Sequence, residues 1–209
     1  MSPENRGVEQ RFTGHIAGLG TTSGVRLVVG IWEHSPFGRF GDVMVEEPSG
    51  QRTLLAPTDE IADFVAGTYT FDATDIAPLT VTIHHALWAV RHRSLTLDWQ
   101  VGRRRLLGGL LRAVPAAVRG SESWARAIDP AARLLQPGVR THGSAGNGRT
   151  EWYAADDLHR IVAATGTWRG ASLGTLAPLT PPVSFGFSSA PRSPSLTRVT
   201  SVIREGDAR

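Results

Sequence analysis

The acid–base chemistry open to this chain rests on its seven histidines and nineteen acids, because it contains no cysteine and all 22 of its basic side chains are arginine. Without a thiol there is no cysteine nucleophile, disulfide, iron–sulfur cluster or cysteine zinc site. Without lysine there is no Schiff base and no P-loop amine, and arginine does not substitute because its guanidinium stays protonated. Polar chemistry is densest in GVRTHGSAGNGRTEWYAADD, residues 138–157. Its candidates are His142, Glu151, Asp156 and Asp157, with His159 just beyond. A nucleophile elbow is excluded for Ser144, since His142 stands where the motif needs its first glycine and a strand follows instead of a helix. A phosphate cradle also lacks its helix N-terminus. Asn147-Gly148 instead reads as a two-residue hairpin turn. Pairing across it brings His142 toward Trp152 or Tyr153, with Glu151 on the diagonal. The set His142, Glu151, Asp157 and His159 suits general acid–base work. No His-x-x-x-His spacing accompanies it, so no metal site is expected.

The other histidines are weaker candidates. His84 and His85 are adjacent, and neighbours on a strand face opposite ways, so at most one joins His92 across the expected hairpin. His34-Ser35 with Glu33 or Asp42 has the residue types of a triad, but a triad is defined by geometry and not by spacing. The loop HSPFGRFG, 34–41, suits a pocket rim through Phe37 and Arg39. Trp32, Trp88, Trp99 and Trp152 fall on candidate strands, where inward tryptophans line a cavity or fill a core. Arg103, Arg104 and Arg105 precede an amphipathic run and form the candidate contact for an anionic partner. Charge is uneven: residues 33–75 carry nine acids and two arginines, residues 91–140 ten arginines and three acids. No helix-turn-helix, zinc-finger or other sequence-specific nucleic-acid motif is present.

The elements that must position these groups are mostly strands. GVRLVVGIW (24–32) is β-branched and nearly continuous. The expected partner strand, 10–16, is joined to it by a glycine-rich turn over 18–24. Residues 42–46 and 52–56 pair around Pro48-Ser49-Gly50. A helix then starts at the Thr58 N-cap, carries Asp59 and Glu60 in its first turn and stops at Gly67. Further strands are expected at 76–84, 86–91, 95–101, 139–144, 149–154, 158–165, 183–188 and 196–203. The last two form a hairpin with a Pro/Ser-rich tip. The middle of the chain reads as helix, broken by Gly108-Gly109 and Pro115, with further helices near 123–128 and from Asp129.

The expected class is therefore α+β and mainly antiparallel: a twisted sheet or barrel with three or four short helices, the longest in the middle. It comprises a flexible stretch 1–8, one β-rich domain 9–204 with a helical insertion 103–137, and a polar tail 205–209. MSPENRGVEQRF has no apolar signal-peptide core, and no run nears the roughly 18 apolar residues of a membrane span, so a cytoplasmic location is expected. GVRLVVGIWEHSPFGRFGDVMVE, LLAPTDEIADFVAGTYTFD and PGVRTHGSAGNGRTEWY resemble uncharacterised β-rich proteins of high-GC bacteria. That resemblance implies no activity and no site residues, and lipocalin-like barrels are an analogy of fold alone. The leading functional expectation is a barrel-like protein, without cofactor, that binds a small apolar or amphipathic ligand between tryptophans and leucines, with arginine at the rim. A His/carboxylate enzyme and an interaction or anionic-surface module working through 103–119 are the alternatives.

Overall fold

A computed structural model describes residues 9–115, 123, 126, 142–144, 149–186 and 190–204. The alternating and β-branched runs become β1 (Glu9–Thr21), β2 (Arg26–His34), β3 (Phe40–Glu46), β4 (Arg52–Ala56), β5 (Ala73–Ile76), β6 (Thr80–His84), β7 (Leu87–His92) and β8 (Leu95–Arg104). After them come β9 (His142–Ser144), β10 (Thr150–Trp168), β11 (Ala171–Ser172), β12 (Leu176–Ala177) and β13 (Ser195–Arg204). Two helices are delimited among the described residues, α1 (Asp59–Ala66) and α2 (Leu106–Ala113). Ten strands follow the order β5-β4-β3-β2-β1-β13-β10-β8-β7-β6, and β9, β11 and β12 pair beside them. Along that order only β4 and β5 are parallel.

This sheet curls into a half-barrel. One buried cluster joins Val43, Val45 and Leu55 to Trp88, Val90 and Trp99. Those residues stand toward opposite ends of the strand order, so their shared face is the inner one. The curl is tied by Asp75 of β5, which accepts hydrogen bonds from Arg93 and from Ser94 Oγ (2.5 Å) in the β7–β8 turn. The outer face is covered by α1 and by the irregular segment 178–186. Thr58 Oγ1 caps α1 by accepting from Ile61 N–H (3.3 Å), and Ile61, Ala62 and Val65 pack on Leu54 and Ala56. The segment is pinned through two buried ions. Arg26 Nη2 lies 3.2 Å from Glu46 Oε1 and donates through Nη1 to Pro181 O (3.0 Å). Glu46 accepts from Ser184 N–H (2.7 Å) and Ser184 Oγ (2.9 Å).

The α+β expectation is corrected. More than half of the described residues are strand, and α2 at eight residues is no longer than α1. α2 runs unbroken through Gly108-Gly109 and ends at Ala113, two residues before Pro115. The expected helices at 123–128 and from Asp129 fall largely outside the described residues, as do 1–8, 205–209 and most of the insertion 103–137. Gly18 and Gly20 belong to β1 and not to a turn. A side chain at Gly20 would stand 2.3 Å from Pro178 O, so these glycines let the covering segment cross the strand closely. The run 76–84 divides at Pro78 into β5 and β6, the two ends of the sheet. No strand forms at 183–186; that stretch is cover, and β13 pairs instead with β1 and β10. No helix among the described residues is long and apolar enough to cross a membrane.

Removing one member of a buried, hydrogen-bonded ion pair leaves the other charge desolvated. Glu46→Ala is expected to lower the unfolding free energy by about 3–5 kcal/mol in urea titration, and a loss under about 1 kcal/mol would show that the clamp does not hold the cover.

Candidate functional site

An irregularity in β10 between Ala155 and Asp157 decides where the chemistry goes. Ahead of it Glu151 pairs with Ile203 and Tyr153 with Ser201 of β13; beyond it Asp157 pairs with Arg198 and His159 with Leu196. The extra residue between Ala155 and Asp157 is a bulge, and it moves odd-numbered residues from the outer face to the inner one. Glu151 and Asp157 therefore belong to different sites. The register also places His142 of β9 across from Trp152, and Gly143 across from Glu151. Asn147 and Gly148 lie outside the described residues.

The inner site is an open groove of about 430 Å3 at one mouth of the half-barrel. Trp88, Val101 and Leu196 line it alongside His15, His159, Asp157, Arg112 and Arg198. Asp157 accepts from Arg104 Nε (2.8 Å) and from Leu158 N–H (2.9 Å), with Arg112 Nη1 at 3.6 Å. Burial pushes this carboxyl up, but the bonds from Arg104 and Leu158 outweigh it and hold it below its ordinary value. His159 Nδ1 donates to Gly102 O (3.1 Å), which turns Nε2 toward Asp157 Oδ2 at 3.5 Å. Arg198 lies 3.6 Å from Glu33, whose other oxygen is 3.3 Å from His15 Nδ1. That His15 nitrogen is buried and lacks hydrogen-bond geometry. Burial lowers the His15 pKa, so its ring is neutral near pH 7. α2 supplies Arg112, and it docks on β10 because Gly108 is bare: a side chain there would stand 2.7 Å from the Leu158 backbone.

The outer site is a narrow, partly open chamber of about 60 Å3 between the sheet and its cover. Glu151, 1% exposed, accepts at 2.9 Å from both Tyr69 OH and Ser201 Oγ, and the Tyr69 and Tyr153 hydroxyls are 2.6 Å apart. Burial raises the Glu151 carboxyl to about 7, against the pull of these hydroxyls. Burial and the neighbouring carboxylate keep the Tyr69 phenol well above its ordinary value. Asp42 accepts from Trp32 Nε1 (2.9 Å), and burial raises it to about 6.

The other expected site residues are dispersed. Trp32 lines the chamber and Trp88 the groove, whereas Trp99 and Trp152 are core residues, the latter beneath Arg204. Phe37 packs on Phe64, 5.0 Å between ring centres, and Arg39 is exposed. Ser35 Oγ donates to Gly38 O (2.7 Å), which makes it a turn residue. His84 and His85 meet edge to face at one end of the β6–β7 hairpin, and His92 is buried at the other end of β7. Among the described residues no group of three or more His, Asp or Glu is placed to hold a metal. Tyr69, Ser201, His15 and Arg198 carry chemistry that the sequence did not single out. The signal available for Tyr153 was its i+2 spacing from Glu151, which puts both on one face of a strand.

No family model matches the chain, and no curated protein matches it. Among solved structures, it is similar to the crystal structure of a provisionally named AttH from Nitrosomonas europaea, with 8% identity and a TM-score of 0.34. The match covers 100% of this chain and 55% of that one, so the chain spans about half the length of that protein.

The raised Glu151 carboxyl fixes the sign of a pH effect. The folded protein keeps a proton that the unfolded chain releases from about pH 4.5 upward, so this group's contribution falls as pH rises toward about 7. Between about pH 5 and pH 8 the wild type should lose on the order of 3 kcal/mol more stability than Glu151→Gln in paired urea titrations. Buried histidines act oppositely but equally in both proteins, so parallel profiles would contradict the assignment.

Proposed function

We propose that the inner groove binds a small amphipathic molecule with an anionic head. The observation that carries this reading is the loose pairing of Arg112 and Arg198, each 3.6 Å from its acid, beside the apolar surface of Trp88, Val101 and Leu196. Three arginines, 104, 112 and 198, face two acids, 157 and 33, so one positive charge is left for an incoming anion. The volume lies in the roughly 300–1,000 Å3 range of small-molecule pockets. The reading needs no cofactor, and we assign it to the cytoplasm. A His/carboxylate enzyme built on Glu151 and Asp157 together is disfavoured, because the two line different cavities.

A second reading, favoured by a separate observation, is that α2 docks on an anionic lipid surface. Leu106 is 92% exposed and Leu110 68%, and Arg103, Arg104, Arg105 and Arg160 surround Leu106 and Val162. Basic side chains around exposed leucines match the charge and apolarity of an acidic bilayer interface.

Decanoate should quench tryptophan fluorescence saturably, and Arg198→Gln should weaken its binding by about tenfold or more, the worth of one charge-assisted hydrogen bond. Decanol, which lacks the charge, should bind wild type and variant alike; equal decanoate affinities in the two proteins would contradict the reading. In vesicle sedimentation, the protein should pellet with phosphatidylglycerol vesicles at low salt and not with phosphatidylcholine. The Leu106→Glu/Leu110→Glu variant should stay in the supernatant, and unchanged pelleting would remove the second reading.

A further inference from the structure

The outer chamber presents a charge problem that the groove does not share. Asp42 and Glu151 are 2% and 1% exposed, and both line one cavity. Every group that lowers the Glu151 carboxyl is a hydroxyl, from Tyr153, Ser201 or Tyr69. The group that does so for Asp42 is the Trp32 indole. Among the described residues no arginine or histidine pairs with either acid. Asp42 Oδ1 accepts from Trp32 Nε1. A desolvated carboxylate without a counter-ion either holds a proton or waits for a cation.

The remaining walls favour an organic cation over a metal ion. Phe12, Phe40, Phe64 and Trp32 line the same cavity, and Phe12 packs within 5.6 Å of Trp32 and 5.2 Å of Phe64. Aromatic faces attract ammonium groups, whereas a hard metal would need several more oxygens than two carboxylates supply.

We propose that the chamber is a binding site for a small organic amine, held as its ammonium ion by Asp42 and Glu151 and walled by the aromatic cluster. Binding exchanges charge for charge. The ammonium enters protonated, a carboxyl releases its proton to water, and a carboxylate–ammonium pair remains. Ser201, Tyr69 and Tyr153 keep their protons and continue to donate toward Glu151. The cavity of about 60 Å3 limits the head group to a few heavy atoms.

The probe is methylammonium chloride, followed by two-dimensional NMR of the full chain at about pH 8 against matched sodium chloride. With two heavy atoms the tightest binding to be expected is a Kd on the order of 10 mM. Saturable shifts should centre on Phe12, Trp32 and Tyr69, and affinity should fall as pH drops below about 7, where the released proton competes. Asp42→Asn should abolish the shifts while leaving decanoate binding in the groove unchanged, which separates this site from the groove. Asp98→Asn, in an exposed pair with Arg91 outside the chamber, should keep the shifts and serves as the folded control. Non-saturating shifts up to about 100 mM, ten times that limit, would overturn the proposal. Equal shifts with methanol, or an Asp42→Asn protein that responds like wild type, would overturn it too.

Discussion

Strand alternation allows a residue only two directions, and the β10 bulge between Ala155 and Asp157 reverses them at that point. Without the extra residue between Ala155 and Asp157, the odd-numbered acids 151 and 157 would share a face. Both would then lie on the outer side, and the groove would lose Asp157, the anchor for Arg104, Arg112 and His159. With the bulge, a single 19-residue strand serves two environments. Its first part carries Glu151 and Tyr153 into a narrow chamber under the cover. Its second carries Asp157 and His159 to an open mouth.

The two environments then follow ordinary electrostatics. In the groove, acids meet arginines at partly exposed positions, so Asp157 is held below its ordinary value and charge remains available at the surface. In the chamber, among the described residues, acids meet only hydroxyls and an indole, so burial dominates and both carboxyls rise. The cover over the chamber is itself held electrostatically. The segment 178–186 forms no strand, and the Arg26–Glu46 pair bonds its backbone at Pro181 and Ser184. A buried ion pair is weak evidence of net stability, but this one satisfies backbone groups that an apolar pair would leave unmet.

What the sequence made legible was local. Thr58, Asp59 and Glu60 specify α1 within one turn, and the structure has that helix and its cap. The alternation of Leu95, Leu97 and Trp99 specifies β8, and all three are buried. What stayed hidden was non-local. Gly18 and Gly20 look like a turn until Pro178 and Ala190, more than 150 residues away, are seen to cross them. Tyr69 meets Glu151 across 82 residues, and no spacing announces such a contact. A bulge has no strong side-chain signature, so the regular pleat that correctly joins Glu151 with Tyr153 wrongly joins Glu151 with Asp157. The middle helix differs for a related reason: apolar periodicity over 106–118 marks a face, while the helix ends at Ala113, ahead of Pro115.

The central claim is that the proposed site for an anionic amphiphile lies on the inner face, beyond the bulge. Isotope-filtered NOE spectroscopy of the labelled protein with unlabelled decanoate tests it most directly. The account predicts contacts from the alkyl chain to Trp88, Val101 and Leu196. Contacts to Phe12, Phe64 and Val183 instead, with none to the groove, would contradict it.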